Sequence, residues 1–169
     1  MNYSAETPKQ TVINEIELFL NNEGFRIIEK DDQRPWGGYF KIDEEQIHEF
    51  LAAFFPGLRQ DDLFGFARLS PKILLVAPGK RLSWQYHLRR SELWRVIGGE
   101  VGVVISDTDE EDEKRTLHVG DEIELRQGER HRLTGLETWG VVAEIWKHID
   151  KAHPSDEGDI VRLQDDFGR

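Results

Sequence analysis

Residues 78–99, PGKRLSWQYHLRRSELWRVIGG, decide the fold of this chain. The run SWQYH has the composition of a β-strand, and side chains along a strand point alternately to opposite faces. Gln85 and His87 therefore share one face, whereas Trp84 and Tyr86 share the other. A polar pair on one face with aromatic rings on the opposite face indicates a strand whose polar face lines a cavity.

Two residues beyond this strand can reach the same cavity. Glu92 follows His87 after a short Arg-rich turn and can return on the next strand, and His131 begins another β-type run, HRLTG. One amide oxygen, two imidazoles and one carboxylate suit a divalent metal ion. We expect one ion held by Gln85, His87, Glu92 and His131, with zinc first and manganese, iron, cobalt or nickel as alternatives. Each histidine taken singly could equally be an ordinary packed or surface residue.

The second half of the chain has the pattern of a β-barrel. From Lys72 onward, Gly, Asp and Pro separate a series of short β-type runs, namely KILLVA, RLSWQYH, LWRVIG, EVGVVIS, RTLHV, DEIELR, HRLTG and WGVVAEIWKHI. Many short strands with turn signals and no helical periodicity are typical of an all-β sandwich or barrel. We expect residues 71–169 to form this barrel with a polar C-terminal tail. The acidic run at 107–113 lacks the ligand spacing of a calcium loop and predicts a solvated hairpin tip.

The first part of the chain, residues 1–70, predicts helices that lie against the barrel. Thr7 and Pro8 have the pattern of an N-cap and first helical residue, and apolar residues then recur at helical spacing until Gly24. Asp43 predicts the cap of a second helix, with Gln46 completing a capping box. Between the helices lies the turn-rich stretch RPWGGY. We expect one structural domain overall.

Composition and charge narrow the function. The chain has 169 residues, no cysteine and a formal net charge of −11. Nucleic acid is disfavoured as a partner because phosphate backbones attract basic surfaces. There is no apolar run long enough to span a bilayer and no signal-peptide pattern, so we expect a cytoplasmic protein without a membrane partner. Basic residues cluster within GKRLSWQYHLRR and RQGERHR, which indicates a small anionic ligand or simply charge balance.

Taken together, the spacings resemble the cupin superfamily. Its first motif is matched, with Gln in place of the first His, by Gly79, Gln85, His87, Glu92 and Gly99. Its second motif is matched, with Arg for Pro and Gly for Asn, by Gly120, Arg126, Gly128, His131 and Gly135. The resemblance implies a mainly β fold, the cupin double-stranded β-helix or jelly-roll barrel, here with N-terminal helical additions. It also places the four ligand positions of the family on the residues named above.

Within the cupins, the chain is similar to the type II mannose-6-phosphate isomerases. The likeness covers residues 34–42 and about 71–169, and it is carried by RPWGGY, the stretch 78–99, GERHRL and DIVRLQDDFGR. Such domains often follow a mannose-1-phosphate guanylyltransferase in one chain. The helix at 7–23 and the helical insert around 43–58 depart from the family pattern.

The resemblance implies an aldose–ketose isomerase that interconverts mannose 6-phosphate and fructose 6-phosphate through an enediol. We expect a sugar phosphate as partner, and a homodimer of barrels. The expected catalytic residues are Glu144, as general base, Arg90 and His148. The expected substrate-binding residues are Lys72, Arg90, Arg132 and Arg162, with Arg34 a further candidate. The alternatives are an isomerase of a heptose phosphate, an epimerase, a metal-dependent dioxygenase, or a non-catalytic module that binds a sugar or metal.

Overall fold

The computed structural model describes residues 1–58, 63, 65–66 and 68–168, so Arg169, the last residue of DIVRLQDDFGR, lies outside the described residues. Two α-helices are present in this part of the chain, α1 (Lys9–Asn22) and α2 (Ile47–Phe54). The strands are β1 (Ile27–Asp31), β2 (Gly37–Ile42), β3 (Lys72–Val76), β4 (Trp84–His87), β5 (Arg90–Gly98), β6 (Glu100–Ser106), β7 (Arg115–His118), β8 (Glu122–Leu125), β9 (Arg130–Gly135), β10 (Gly140–His148) and β11 (Ile160–Gln164).

The strands form two sheets that face each other. The six-stranded sheet has the order β1-β2-β3-β10-β5-β8, and the five-stranded sheet has the order β11-β4-β9-β6-β7. Neighbouring strands pair antiparallel, as at Glu144↔Trp94 between β10 and β5. The space between the sheets is filled by side chains of both, including Leu74 and Val96 from the larger sheet and Val103 and Leu133 from the smaller. This interior is the barrel that the β-type runs predict.

The larger sheet is buried on both faces. All five residues of β3, KILLV, are buried because Leu74 and Val76 face the barrel interior while Ile73 and Leu75 face the opposite way. That second face packs against α1, whose Val12 and Ile16 are at most 1% exposed. The helix that sequence periodicity predicts therefore lies on the outside of the six-stranded sheet.

RPWGGY forms more than a turn. Gly37 begins β2 and pairs with Val76 of β3, and its φ of 151° is open mainly to glycine. A Cβ at this position would collide with the carbonyl oxygen of Leu75. The close approach seats the stretch against the edge of β3, with Trp36 and Tyr39 buried in the barrel interior.

The first predicted helix cap is wrong, whereas the second, Asp43, is confirmed. Helix α1 begins at Lys9 rather than at Pro8, because Pro8 has an extended ψ of 140° and occupies the N-cap position without a side-chain cap. Asp43 does cap, accepting a hydrogen bond from Glu45 N, but a 3-10 turn precedes α2.

The predicted capping box at Gln46 is wrong. Its Oε1 accepts from Arg26 N at 2.6 Å and its Nε2 donates to Gly24 O at 2.8 Å. The N–H of Asp43, which the box would need, instead donates to the carbonyl of Arg26. Gln46 therefore holds the chain between α1 and β1.

A candidate metal centre and its cavity

Strand pairing brings the predicted metal ligands together inside the barrel. Gln85 on β4 lies opposite His131 on β9, and His87 is the next residue of β4 on the same face. Glu92 comes from β5. His87, Glu92 and His131 are at most 2% exposed, and each offers a ligand atom within 4.8 Å of the others.

The candidate ligands lie close together, but Gln85 faces the other three with its amide nitrogen and not with its oxygen. Glu92 Oε1 lies 3.2 Å from His87 Nε2, and Glu92 Oε2 lies 3.6 Å from His131 Nε2. Gln85 presents its amide nitrogen to His87 Nε2 at 3.4 Å, while its Oε1 accepts a hydrogen bond from Ser83 Oγ at 2.6 Å. A half-turn of the Gln85 amide would be needed before its oxygen could bind a metal ion.

The hydrogen bonding of His131 fits a bound cation. Its Nδ1 lies 3.0 Å from the carbonyl oxygen of Glu129. Because this oxygen can only accept a hydrogen bond, Nδ1 carries the proton and Nε2 carries a lone pair. This Nε2 and Glu92 Oε2 are both buried without a hydrogen-bond partner among the described residues. Two buried acceptors that face each other repel unless a cation lies between them. The donor set therefore fits the divalent ion that the sequence predicts.

The protonation states are those of metal ligands. Burial is the largest cause that lowers the pKa of His87, to about 3, and burial also lowers the pKa of His131. Burial acts to raise the pKa of Glu92, but interactions with His87, Arg90 and His131, including an ion pair and hydrogen bond with Arg90, outweigh it and hold this pKa well below its usual range. Neutral imidazoles beside an ionised carboxylate can bind a metal without first losing protons.

Arg90 holds the candidate metal ligands in position. Its side chain is 1% exposed, and its Nε donates to Glu92 Oε1 at 2.7 Å. A terminal nitrogen lies 3.2 Å from His87 Nε2, and the other donates to Ser155 Oγ at 2.8 Å. The guanidinium lies 3.5 Å from the ring centroid of Trp146. With its donors occupied in this way, Arg90 joins Glu92 to the C-terminal segment, residues 149–168.

Gln85 and Glu92 line a cavity of about 540 Å³, a volume that includes the part open to solvent. Its wall carries four basic side chains, Arg34, Lys72, Arg90 and Arg162, and three carboxyl groups, Glu92, Glu144 and Glu157. Trp36, Trp94 and Trp146 supply broad aromatic surfaces. We call this space the first cavity.

Glu144 faces the first cavity from β10, as the alternation of VVAEIW predicts. It is 4% exposed, and Trp94 Nε1 donates to its Oε1 at 2.9 Å. Burial, followed by the charge of Glu92, raises the pKa of Glu144 to about 8. At pH 7 the carboxyl is therefore largely neutral, and the basic side chains outnumber the charged carboxylates in the wall.

Two predicted site residues lie elsewhere. His148 is on β10 but does not line the first cavity, because its Nε2 is hydrogen-bonded to Ser70 Oγ at 2.8 Å. Arg132 points to the opposite face of β9 from His131, where it donates to Glu111 and to Gln164. Lys72, Arg90 and Arg162 do line the first cavity.

Sequence reasoning missed several residues of the wall. Trp94 and Trp146 each lie two positions after a predicted site residue, and Ser83 lies two positions before one. Strand periodicity of two could have found all three. Glu157 had no such signal. It lies in the polar tail, and only the folding of this tail against the barrel brings it to the cavity.

Fold and site together define a β-barrel of the cupin class with a candidate metal site in its interior. The chain belongs to the family of the mannose-6-phosphate isomerase C-terminal domain, which it matches over residues 58–165, more than half of its length. This agrees with the resemblance that the two motifs carry.

Curated relatives are longer proteins. The chain is 27% identical over 150 residues to a mannose-1-phosphate guanylyltransferase of Salmonella montevideo, covering 89% of this chain and 26% of that protein. It is 30% identical over 133 residues to a mannose-1-phosphate guanylyltransferase of Sinorhizobium fredii, covering 79% of this chain and 20% of that protein. The chain thus spans about a quarter or less of the length of these relatives.

Solved structures support the fold. A variant of the oxalate decarboxylase of Bacillus subtilis aligns with a TM-score of 0.57 at 14% identity, over 80% of this chain and 30% of that one. The capsular polysaccharide assembling protein CapF of Staphylococcus aureus aligns with a TM-score of 0.54 at 14% identity, over 80% and 31%. At such low identity the likeness concerns the barrel alone. Within the described residues, no helix is both long and apolar enough to cross a membrane.

Proposed function

We propose that this protein is a metal-dependent sugar-phosphate isomerase that interconverts mannose 6-phosphate and fructose 6-phosphate. One observation carries the proposal. Glu92, the ionised member of the His–Glu–His cluster, lines the first cavity together with Glu144, a carboxyl group whose pKa is raised to about 8, and several basic side chains. Family membership makes a phosphorylated sugar the first substrate to test.

The metal ion would be held by His87, Glu92 and His131, with Gln85 as fourth ligand after its amide turns. Zinc is the ion that we propose, since imidazole and carboxylate donors suit it. When bound, the ion polarises the substrate carbonyl and stabilises negative charge on its oxygen.

The basic wall suits an anionic substrate. Arg34, Lys72 and Arg162 give the wall positive charge, and they can offer N–H donors to the oxygens of an anionic sugar. Arg90 contributes charge, but its donors hold Glu92 and the C-terminal segment. The indole rings in the wall provide flat apolar surface for the carbon face of a sugar.

Glu144 is the proposed proton-transfer group. As a carboxylate it removes the proton from C2 of the aldose, leaving an enediol, and it then returns this proton to C1 while a hydroxyl proton moves from O2 to O1. The carbonyl thereby shifts from C1 to C2, and no atom is gained or lost. A pKa near the working pH is favourable for a group that must both take and give a proton.

The central test is an isomerase assay of the pure protein loaded separately with zinc, manganese, iron, cobalt or nickel. We expect conversion of mannose 6-phosphate to fructose 6-phosphate, with partial entry of solvent deuterium at C1 through exchange of the proton held on Glu144. The double variant His87→Ala/His131→Ala should lose both metal binding and turnover. Its matched control, His118→Ala/His153→Ala, removes two exposed histidines that are also paired with carboxylates and should retain both.

Three results would count against the proposal. Turnover that survives loss of His87 and His131 would exclude the cluster as the metal site. Binding of a sugar phosphate without turnover under any metal would favour a non-catalytic module. Turnover confined to a heptose phosphate, or inversion at one carbon, would replace the substrate or the reaction while leaving the metal site in place.

A further inference from the structure

A second cavity adjoins the first. It encloses about 650 Å³, including the part open to solvent, and it lies between the start of β3, the loop before β3 and the C-terminal segment. Lys72, Trp146 and Glu157 line both cavities and so form the wall between them. Lys41 and Ser70 line only the second.

Lys72 is the buried basic residue of the shared wall, where burial lowers its pKa and the charges of Glu144 and Glu157 favour its ammonium form. Its side chain is 4% exposed, and its Nζ lies 3.4 Å from the ring centroid of Trp146. Within the described chain its one hydrogen-bonded carboxylate is Glu157 at 3.1 Å, whose side chain is 49% exposed. A buried ammonium is costly to leave unpaired, so an incoming anion can replace the half-exposed carboxylate as its partner.

The other two carboxylates in the wall already have hydrogen-bond donors. Glu44 accepts hydrogen bonds from the backbone N–H groups of Leu69 and Ser70, at 2.7 and 2.8 Å. Asp156 Oδ1 accepts from Gly158 N at 2.9 Å and from Arg89 at 3.1 Å. Their hydrogen bonds thus go to the loop and the tail, and Lys41 pairs with Glu29, which does not line the second cavity.

Ser70 is held in an unusual conformation at this wall. Its φ of 41° is the one positive value of a non-glycine residue in the described part of the chain. Such backbone strain tends to occur at functional sites. His148 fixes the Ser70 hydroxyl at 2.8 Å, and the pKa of His148 is lowered to about 4, chiefly by burial, so the imidazole is neutral at pH 7.

We propose that the second cavity is a phosphate subsite, in which Lys41, Ser70 and Lys72 bind the phosphate of a substrate whose sugar occupies the first cavity. The placement of the sugar rests on the proposed function, whereas phosphate binding by the second cavity does not. Either a sugar phosphate ester or the diphosphate of a nucleotide-linked sugar could supply this chemistry.

Inorganic phosphate is the probe, titrated into the metal-loaded protein by calorimetry. We expect Lys41→Met and Ser70→Ala each to weaken phosphate binding, Lys41→Met by about tenfold, as for loss of a hydrogen bond to a charged group. The control is Lys30→Met, since Lys30 and Lys41 are strand lysines of similar exposure, each 2.6 Å from one glutamate. Unchanged thermal midpoints would show that the variants fold.

The alternative location is tested in parallel with Arg162→Gln, because Arg162 lines only the first cavity. Loss of phosphate binding in this variant, with full binding in Lys41→Met and Ser70→Ala, would overturn the second subsite yet leave the isomerase proposal standing. Absence of phosphate binding by the unaltered protein would overturn it too. Weakened binding in the two variants of a protein without isomerase activity would support the subsite and count against the proposed function.

Two further ligands identify the source of the phosphate. If a hexose 6-phosphate loses affinity in Lys41→Met, the ester is the natural ligand. If only a nucleoside-diphosphate hexose loses affinity in this variant, the natural ligand is the diphosphate. Both results support the subsite. The unphosphorylated hexose should bind the variants and the unaltered protein equally, and an equal loss for this sugar would contradict a phosphate role.

Discussion

Among single residues, Glu92 and Glu144 are two buried carboxyl groups of one cavity whose pKa values move in opposite directions. Glu92 lies among His87, Arg90 and His131, which favour its charged form. Glu144 receives a hydrogen bond from Trp94, but burial and the charge of Glu92 favour its neutral form. Paired carboxyl groups separated in this way commonly take different roles in a site, here metal ligand and proton carrier.

Glu144→Gln should abolish the acid limb of the pH profile. In the unaltered protein, kcat/KM should fall as pH is lowered below about 8, because the base form of Glu144 is lost. A bound metal ion would shift this limb to lower pH. The variant should lose turnover by at least about 100-fold while keeping metal affinity. Glu124→Gln, which removes a carboxyl paired with Lys147, is the control, and an unaltered profile in Glu144→Gln would exclude Glu144 as the base.

Arg90→Gln should damage stability and metal binding together. It leaves the buried carboxylate of Glu92 without its ion-pair partner, which typically costs about 3–5 kcal/mol. Arg95→Gln, on the same strand and in a partly exposed pair with Glu122, should cost about 1 kcal/mol or less. Urea unfolding and metal titration measure both effects. Equal costs for the two variants would show that Arg90 has no special positioning role.

Among the structural elements, the C-terminal segment completes the site. Strand β11 pairs with β4, which carries Gln85 and His87, and Ile160 and Arg162 line the first cavity. Asp159 fastens the segment, since its carboxylate accepts hydrogen bonds from Leu88 N, Arg89 N and Ser155 Oγ. This brings the tail over the turn between β4 and β5.

Asp159→Ala should loosen this element. We expect a loss of about 1–3 kcal/mol in the free energy of unfolding, because two backbone N–H groups lose their acceptor. Amide exchange of β11 should become faster, and metal affinity should fall through Arg90, which holds the same segment. Asp150→Ala removes a similar but exposed cap in the tail and should have little effect. Unchanged exchange in β11 would show that the strand pairing alone fixes the tail.

For the whole molecule, the six-stranded sheet joins two apolar cores, one shared with α1 and α2 and one inside the barrel. A single domain, as expected from sequence, predicts one unfolding transition. Ile16→Ala, which truncates a residue that is 1% exposed, should lower the midpoints of circular dichroism and tryptophan fluorescence equally. Separate midpoints would mean that the helices and the barrel unfold independently.

The buried histidines should make the metal-free protein sensitive to acid. The pKa values of His87 and His148 are lowered to about 3 and about 4, whereas an unfolded histidine titrates near 6.5. The unfolded chain therefore binds more protons below that pH, so this stability is present above about pH 6.5 and is lost as pH falls toward 4. Urea midpoints between pH 7 and 4 measure it. His148→Gln should flatten the dependence, whereas His118→Gln, at an exposed site, should not.

The sequence by itself determined what local periodicity and spacing can encode. Alternation along β4 placed Gln85 and His87 on one face, and the same rule turned Glu144 inward. The β-type runs from Lys72 onward predicted the barrel, and the two spaced motifs identified its family. These features depend on residues a few positions apart, whose relative directions the strand geometry fixes.

Only the tertiary structure decided which distant segments meet. Arg90 binds Ser155 and His148 binds Ser70, pairs separated by 65 and 78 residues, and neither contact has a local signal. For the same reason His148 lies outside the first cavity although Trp146, on the same strand, lines it. Arg132 instead follows the local alternation of β9, which turns it to the opposite face from His131. The order of the strands in the sheets, and the path of the tail across them, brings such residues together because packing joins positions that the chain separates.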